Sequence, residues 1–125
     1  MILPAADELL APVMAIDGFR LACLIDGSTG MVLASLGKQD GLAPQTAAAG
    51  AADVINVLTL LNGRLATGAN LEDVMVTFSD SFFMVRPVGP DQEPQILLLV
   101  IADRQRTNLA MAHRSIRDFC ASFTS

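Results

Sequence analysis

At 125 residues the chain has the length of one domain, enough to bury roughly two thirds of its unfolded surface without disulfides or metals. Its formal charge of -5 and pI near 4.5, with only Lys38 and seven arginines as fixed cations, exclude a surface built to neutralise a nucleic-acid backbone. Apolar residues make up 52% and the mean hydropathy is +0.48, high enough that part of the apolar surface is expected to lie between subunits.

The segment from Pro4 to Leu10 puts a proline where a first helical turn accepts one, and Asp7 and Glu8 where the helix dipole favours acids. A short helix starts here, with Ala6, Leu9, Leu10 and Val13 on one side; Pro12 lacks an N–H and is expected to kink or end it. Asp17-Gly18 breaks the chain, and Phe19–Ile25 reads as a mostly apolar strand, internal to a sheet. Asp26-Gly27-Ser28-Thr29-Gly30 is a turn, and Met31–Leu36 returns as the second strand of a hairpin.

Gly37–Pro44 is a polar, glycine-rich loop. Thr46 or Gln45 opens the longest helical stretch, Ala47 to about Ala66, which spans about 30 Å at about 1.5 Å per residue. Val54, Ile55, Val57, Leu58, Leu60, Leu61 and Leu65 occupy well over half of its circumference, more than one sheet face accounts for. The small residues from Ala47 to Ala52 either admit the close approach of another helix or reflect alanine's helix propensity. Gly63 costs roughly 1 kcal/mol relative to Ala inside a helix. It marks either fraying or a place where a partner leaves no room for a side chain.

Thr67-Gly68-Ala69-Asn70 ends the helix. Leu71–Ser79 follows as a strand with Val74, Val76 and Phe78 on one face and Asp73, Met75 and Thr77 on the other. Asp80-Ser81 turns, Phe82–Val88 runs back, and Gly89–Pro94 turns again. Ile96–Ala102 is a run of seven apolar residues. Both parities are apolar, so both faces are covered, and this is the central strand of the sheet. The run falls far short of the roughly 20 residues that span a bilayer, and no direct membrane insertion is expected. After the polar loop Asp103–Thr107, Thr107 or Asn108 caps a last helix. Its stripe is Leu109, Ala112, Ile116, Phe119, Cys120 and Phe123, with Arg114, Arg117 and Asp118 on the wet side.

A catalytic site needs convergent titratable groups, and the sequence offers none. His113 is the sole histidine and sits at the flank of the last helix's stripe; with two distant cysteines it makes no zinc set. Cys23 and Cys120 lie in apolar settings and read as buried thiols. No charged segment precedes an apolar one and acids come early, which argues against a signal peptide and for a reducing, cytoplasmic location. Asp7-Glu8 and Glu72-Asp73 read as solvated ends. The glycines of residues 26–30 lack the Gly-Lys-Ser/Thr sequence and following helix of a phosphate loop. Neither an enzyme nor a cofactor is expected; the chain reads as a binding module.

The order α-β-β-α-β-β-β-α, the glycine-punctuated first hairpin and the alanine-rich long helix resemble the roadblock/dynein light chain family. The likeness is carried by Thr29-Gly30-Met31-Val32-Leu33-Ala34, Phe83-Met84-Val85-Arg86-Pro87-Val88-Gly89, and Asp103 with Asn108-Leu109-Ala110. It covers one domain from about Ala5 to Phe123, and departs at Thr29, where the family more often has Asp, and at Pro12. The resemblance implies an α+β, profilin-like fold: a five-stranded antiparallel sheet in the order 2-1-5-4-3 with helices on both faces. It also implies a homodimer in which third strands pair edge to edge and long helices pack together. Family members bind and regulate small Ras-like GTPases, in bacteria often as a non-catalytic partner subunit.

The residues agree with such an assembly. Val74-Met75-Val76-Thr77-Phe78 is an edge with neither charge nor proline, a liability unless covered. Met31–Leu36 is equally uncharged, so the wide apolar arc of the long helix, expected beside the third strand, decides between them. The expected dimer interface is Ala47, Gly50, Ala51, Val54, Val57, Leu58 and Leu61 with Val74, Met75, Val76, Thr77 and Phe78. Arg64, Arg86, Arg104 and Arg106 are the candidate contacts to a GTPase. The alternative is a small-molecule sensor, for which only Cys23, Asn56 and Asn62 offer polar groups toward the core.

Overall fold

The computed structural model describes residues 6–66, 68–88 and 95–122. The proline at the expected first turn, Thr67, the expected turn at 89–94 and Phe123 lie outside the described residues. The elements are α1 (Ala6–Met14), β1 (Phe19–Asp26), β2 (Val32–Gly37), α2 (Pro44–Leu65), β3 (Val74–Thr77), β4 (Ser81–Val88), β5 (Ile96–Asp103) and α3 (Leu109–Ser122). The strands form one antiparallel sheet in the order β2-β1-β5-β4-β3, as expected, with β5 in the middle.

The two parities of β5 feed two cores. Leu97, Leu99 and Ile101 join Leu21, Cys23 and Ile25 beneath α2, while Leu98, Val100 and Ala102 join Ala22, Leu24 and Met84 beneath α1 and α3. All six of these β5 side chains are fully buried, and each of the five larger than alanine contributes up to about 1.5–3 kcal/mol by leaving water.

Three boundaries differ from the sequence expectation. Helix α1 runs through Pro12 to Met14 instead of ending there. Leu10 and Val13, both fully buried against the sheet, hold the turn that contains it. Helix α2 begins three residues early, with Pro44 in its first turn and no side-chain cap, where a missing N–H costs nothing. Strand β3 is only four residues long, because its expected flanks are engaged elsewhere. Asp73 is bound through its side chain, and the Phe78 N–H donates to the Ser81 carbonyl at 2.8 Å, closing the β3–β4 turn.

Polar contacts pin the sheet's ends. Asp26 accepts from the Ser28 hydroxyl at 2.7 Å and its backbone N–H at 2.9 Å, fixing the β1–β2 turn and holding its carboxyl below the usual range. Asp103 accepts from the Gln105 N–H at 2.9 Å and from Arg20 at 3.1 Å, and is lowered likewise. Gly37 sits at φ +89°, where a Cβ would lie 2.1 Å from the Arg20 carbonyl oxygen.

Gly37→Ala should therefore destabilise the fold by about 2 kcal/mol or more, through positive φ and the backbone clash together. An unchanged urea midpoint would show that the β1–β2 ladder yields there. Because Asp26 and Asp103 have lowered folded pKa values, their contribution is present above the ordinary value of 3.8 and is lost as pH falls through the folded values. Asp26→Asn with Asp103→Asn should flatten the acid limb of the stability profile, read by thermal melts from pH 6 down to about pH 2.

Candidate functional site

Helix α2 is packed inside out by size. Ala47, Ala48, Ala51, Ala52 and Ile55 are the residues it buries, so its alanines press onto its own sheet rather than onto another helix. The approach is close: a Cβ at Gly30, in the β1–β2 connection, would stand 3.4 Å from the Ala49 Cα. The large side chains are left outward. Val54, Val57, Leu61 and Leu65 recur at helical spacing in one stripe, set about 100° around the helix from the buried alanines. Val57 is 65% exposed, Leu61 49% and Leu65 63%.

The stripe borders a trough. Helix α2 lies over β1, β2 and β5 and stands beside the third strand across a groove. An open groove of about 340 Å³ separates it from the β3 side of the sheet. Gly50, Ala51 and Val54 form one wall, and Val74, Val76, Phe78, Phe83 and Val85 form the floor and the other wall. Phe78 and Phe83 meet edge to face at 4.9 Å, and Thr46 brings the groove's one polar side chain. Toward the helix C-terminus, Leu58, Leu61 and Leu65 face Leu71 across a second open depression of about 380 Å³. The outward helix flank, the groove and the β3 edge thus lie side by side, apolar along the groove, while Asn62, Asn70, Glu72 and Asp73 join the leucines around the second depression.

The sequence-predicted interface residues distribute over this face unequally. Val54, Val57 and Leu61 are outward on α2, Leu58 is half-buried, and Gly50 opens the groove wall. Ala47 and Ala51 sit at the helix's underside, lining the groove while buried by the sheet. Val74, Val76 and Phe78 face the groove, as their alternation predicts, and Thr77 is exposed. The Met75 side chain packs on the opposite face, against the core beneath α3. Gly63 has open space around its missing Cβ.

The four arginines are not brought together. Arg64 lies exposed in the last turn of α2, and Arg106 lies exposed in the β5–α3 connection. Arg104 donates to the Phe78 carbonyl at 3.3 Å. Arg86 is not a free outward cation: its Nη1 donates to Asp73 Oδ2 at 2.9 Å, and its side chain is only 17% exposed. Asp73 is accordingly not the solvated strand end expected for it, since His113 Nε2 also meets Oδ2 at 2.6 Å. Sequence reasoning missed this cluster and the contacts of Arg20 with Gln39 and Asp103. The partners lie 13 to 83 residues apart, beyond any local pattern.

The polar groups considered for a sensor do not converge. Cys23 is buried beneath α2, Asn56 is exposed, and the Asn62 side-chain amide donates to the Ala69 carbonyl at 2.6 Å. Among the described residues no His, Cys, Asp or Glu set is placed to hold a metal ion, and no helix is long and apolar enough to cross a membrane.

No family model and no curated protein matches the chain. Solved structures do. The Roadblock/LC7 domain from Streptomyces avermitilis superposes with a TM-score of 0.79 at 19% identity, over 95% of this chain and 94% of that one. An MglB structure with a tetrameric arrangement gives 0.80 at 20% identity, over 98% and 90%. The gliding protein MglB from Thermus thermophilus gives 0.76 at 20% identity, over 96% and 89%. The chain has the roadblock/LC7 fold.

The thiols are chemically quiet. Burial pushes both Cys23 and Cys120 up to about 11, with Arg86 only partly opposing the rise at Cys120. They lie in the two separate cores, so no disulfide joins them. A disulfide-exchange reagent at pH 8 should label the native protein at least about a hundredfold more slowly than the urea-unfolded chain. Rapid labelling of the native protein would put a thiol at the surface.

Proposed function

We propose that this chain is a non-catalytic homodimeric module of the cytoplasm that binds and regulates a small Ras-like GTPase. The observation that carries the dimer is the exposed apolar flank of α2 beside the apolar groove and the uncharged β3 edge. An isologous contact across it would pair β3 with its symmetry copy and seat the Val57 and Leu61 flank of each α2 against the other subunit. Such a contact would cover an uncharged edge strand and exposed leucines in one step. The neighbours in fold support the reading, since one of them is an MglB with a tetrameric arrangement.

The GTPase rests on the family resemblance carried by residues 29–34, 83–89, 103 and 108–110. In this reading the dimer is a rigid platform that binds one state of the switch loops better than the other and shifts their population by that difference. Of the four candidate arginines, Arg64, Arg104 and Arg106 are exposed and available to it. A sensor has less support, because the groove's apolar lining offers Thr46 alone to orient a ligand.

Sedimentation velocity over a dilution series tests the assembly. The wild-type chain should be dimeric at micromolar concentration, and Val57→Glu or Val76→Lys should weaken the dimer by at least about a hundredfold, two unpaired charges being buried per dimer. Unchanged dimers would place the interface elsewhere. Titrating the dimer with a purified small Ras-like GTPase, loaded with GDP or with a GTP analogue, tests the regulatory role. Equal affinities for the two states would remove it, because equal binding shifts no population.

A further inference from the structure

Strand β3 is thinly held. It pairs with β4 through four rungs, from Val74 opposite Val85 to Thr77 opposite Phe82. Its groove side is open, and on the other side Met75 packs against the core beneath α3. The next rung of the same register would set Asp73 opposite Arg86, and there the backbone ladder has stopped. A side-chain rung replaces it. Arg86 Nη1 donates to Asp73 Oδ2 at 2.9 Å, and His113 of α3 reaches the same oxygen through Nε2 at 2.6 Å. One carboxylate therefore ties the entry of the edge strand both to its neighbouring strand and to the helix beneath the sheet. Charge-assisted hydrogen bonds of this kind are shorter and stronger than neutral ones.

We propose that this clamp positions β3 for pairing with a second copy of the chain, so that Arg86 and His113 set the dimer's affinity through Asp73 rather than by contact with the partner. The inference rests on the dimer proposed above. In a symmetric β3–β3 pair two clamped strands meet, so any slack at Asp73 counts twice. The position of the clamp explains its form. Edge strands are the first parts of a sheet to open, and a four-residue strand without a covering helix has little else to hold its register.

His113→Ala is the informative substitution, because the histidine is 41% exposed and its removal leaves the Arg86–Asp73 pair in place. In the full-length protein it should raise the dimer dissociation constant about tenfold. It should also speed amide exchange at Val74–Thr77 relative to β5. His113→Gln, which keeps an N–H near the position of Nε2, should return both readings to within about twofold of wild type. The Arg20–Asp103 pair is a matched control, at 3.1 Å with side chains 27% and 26% exposed. Arg20→Ala should lower the melting temperature and leave both the dissociation constant and β3 exchange unchanged. A wild-type dimer whose affinity and exchange are indifferent to His113→Ala overturns the clamp alone. A wild-type chain that stays monomeric at every concentration overturns the dimer and, with it, the clamp's role in affinity.

Discussion

The burial of β5 on both faces is the constraint from which the architecture follows. A strand with apolar side chains of both parities needs a neighbour at each edge and a helix layer on each face. β1 and β4 flank it, which leaves β2 and β3 as the edges. The layers are matched by size. Leu97, Leu99 and Ile101 point toward the alanines of α2, whereas Leu98 and the smaller Val100 and Ala102 share a core with Phe82, Met84 and Phe119. Interiors pack to crystal-like density, so large strand residues call for small helix residues and the reverse. A one-residue slip of β5 would exchange the two sets of side chains between the faces and undo both packings.

That matching has a consequence for α2. With the strand side chains already filling the space beneath it, the helix approaches mainly through small residues such as Ala48 and Ala52, with Ile55 the one large side chain among those it buries. Val54, Val57, Leu61 and Leu65 then emerge on the outward flank toward β3. Three exposed side chains of the size of Val57, Leu61 and Leu65 forgo up to about 1.5–3 kcal/mol each of possible burial, a sizeable sum beside the about 5–15 kcal/mol net stability of a domain. Monomeric surfaces rarely carry a contiguous apolar patch of this kind without a use for it.

Most of the fold was legible in the chain. The apolar run at Ile96–Ala102, the stripe of α3 and the Asp26–Gly30 turn each carry a local signal, and each element stands where that signal puts it. The site was legible in part. An arc of apolar residues well over half a helix's circumference says that two surfaces are needed, and it does not say which residues face which. Alanine serves equally as a helix former and as a close-packing residue, so the inward placement of Ala47, Ala48, Ala51 and Ala52 had no signature of its own. The Asp73 cluster had none either. Its members come from β4, α3 and the residue before β3, and only the folded register brings Arg86 opposite Asp73 and turns His113 toward the same carboxylate.

The two sheet edges look alike in sequence and differ in what stands behind them. β2 is flanked by α1 as well as α2, and its Ala34 and Leu36 are packed into the core beneath α1. The α2 flank on that side, which approaches the β1–β2 connection at Ala49, carries Asp53 and Asn56. A second sheet added at β2 would bring those polar groups toward an interface, with Met31, Leu33 and Leu60 as the large exposed apolar side chains near them. At β3 the same extension would lie against Val76 and Phe78, beside the groove and the Val57–Leu61 flank. Equal edges by composition are therefore unequal by the helix surface that accompanies them. The apolar face of α2, rather than the strand, is what distinguishes the two edges.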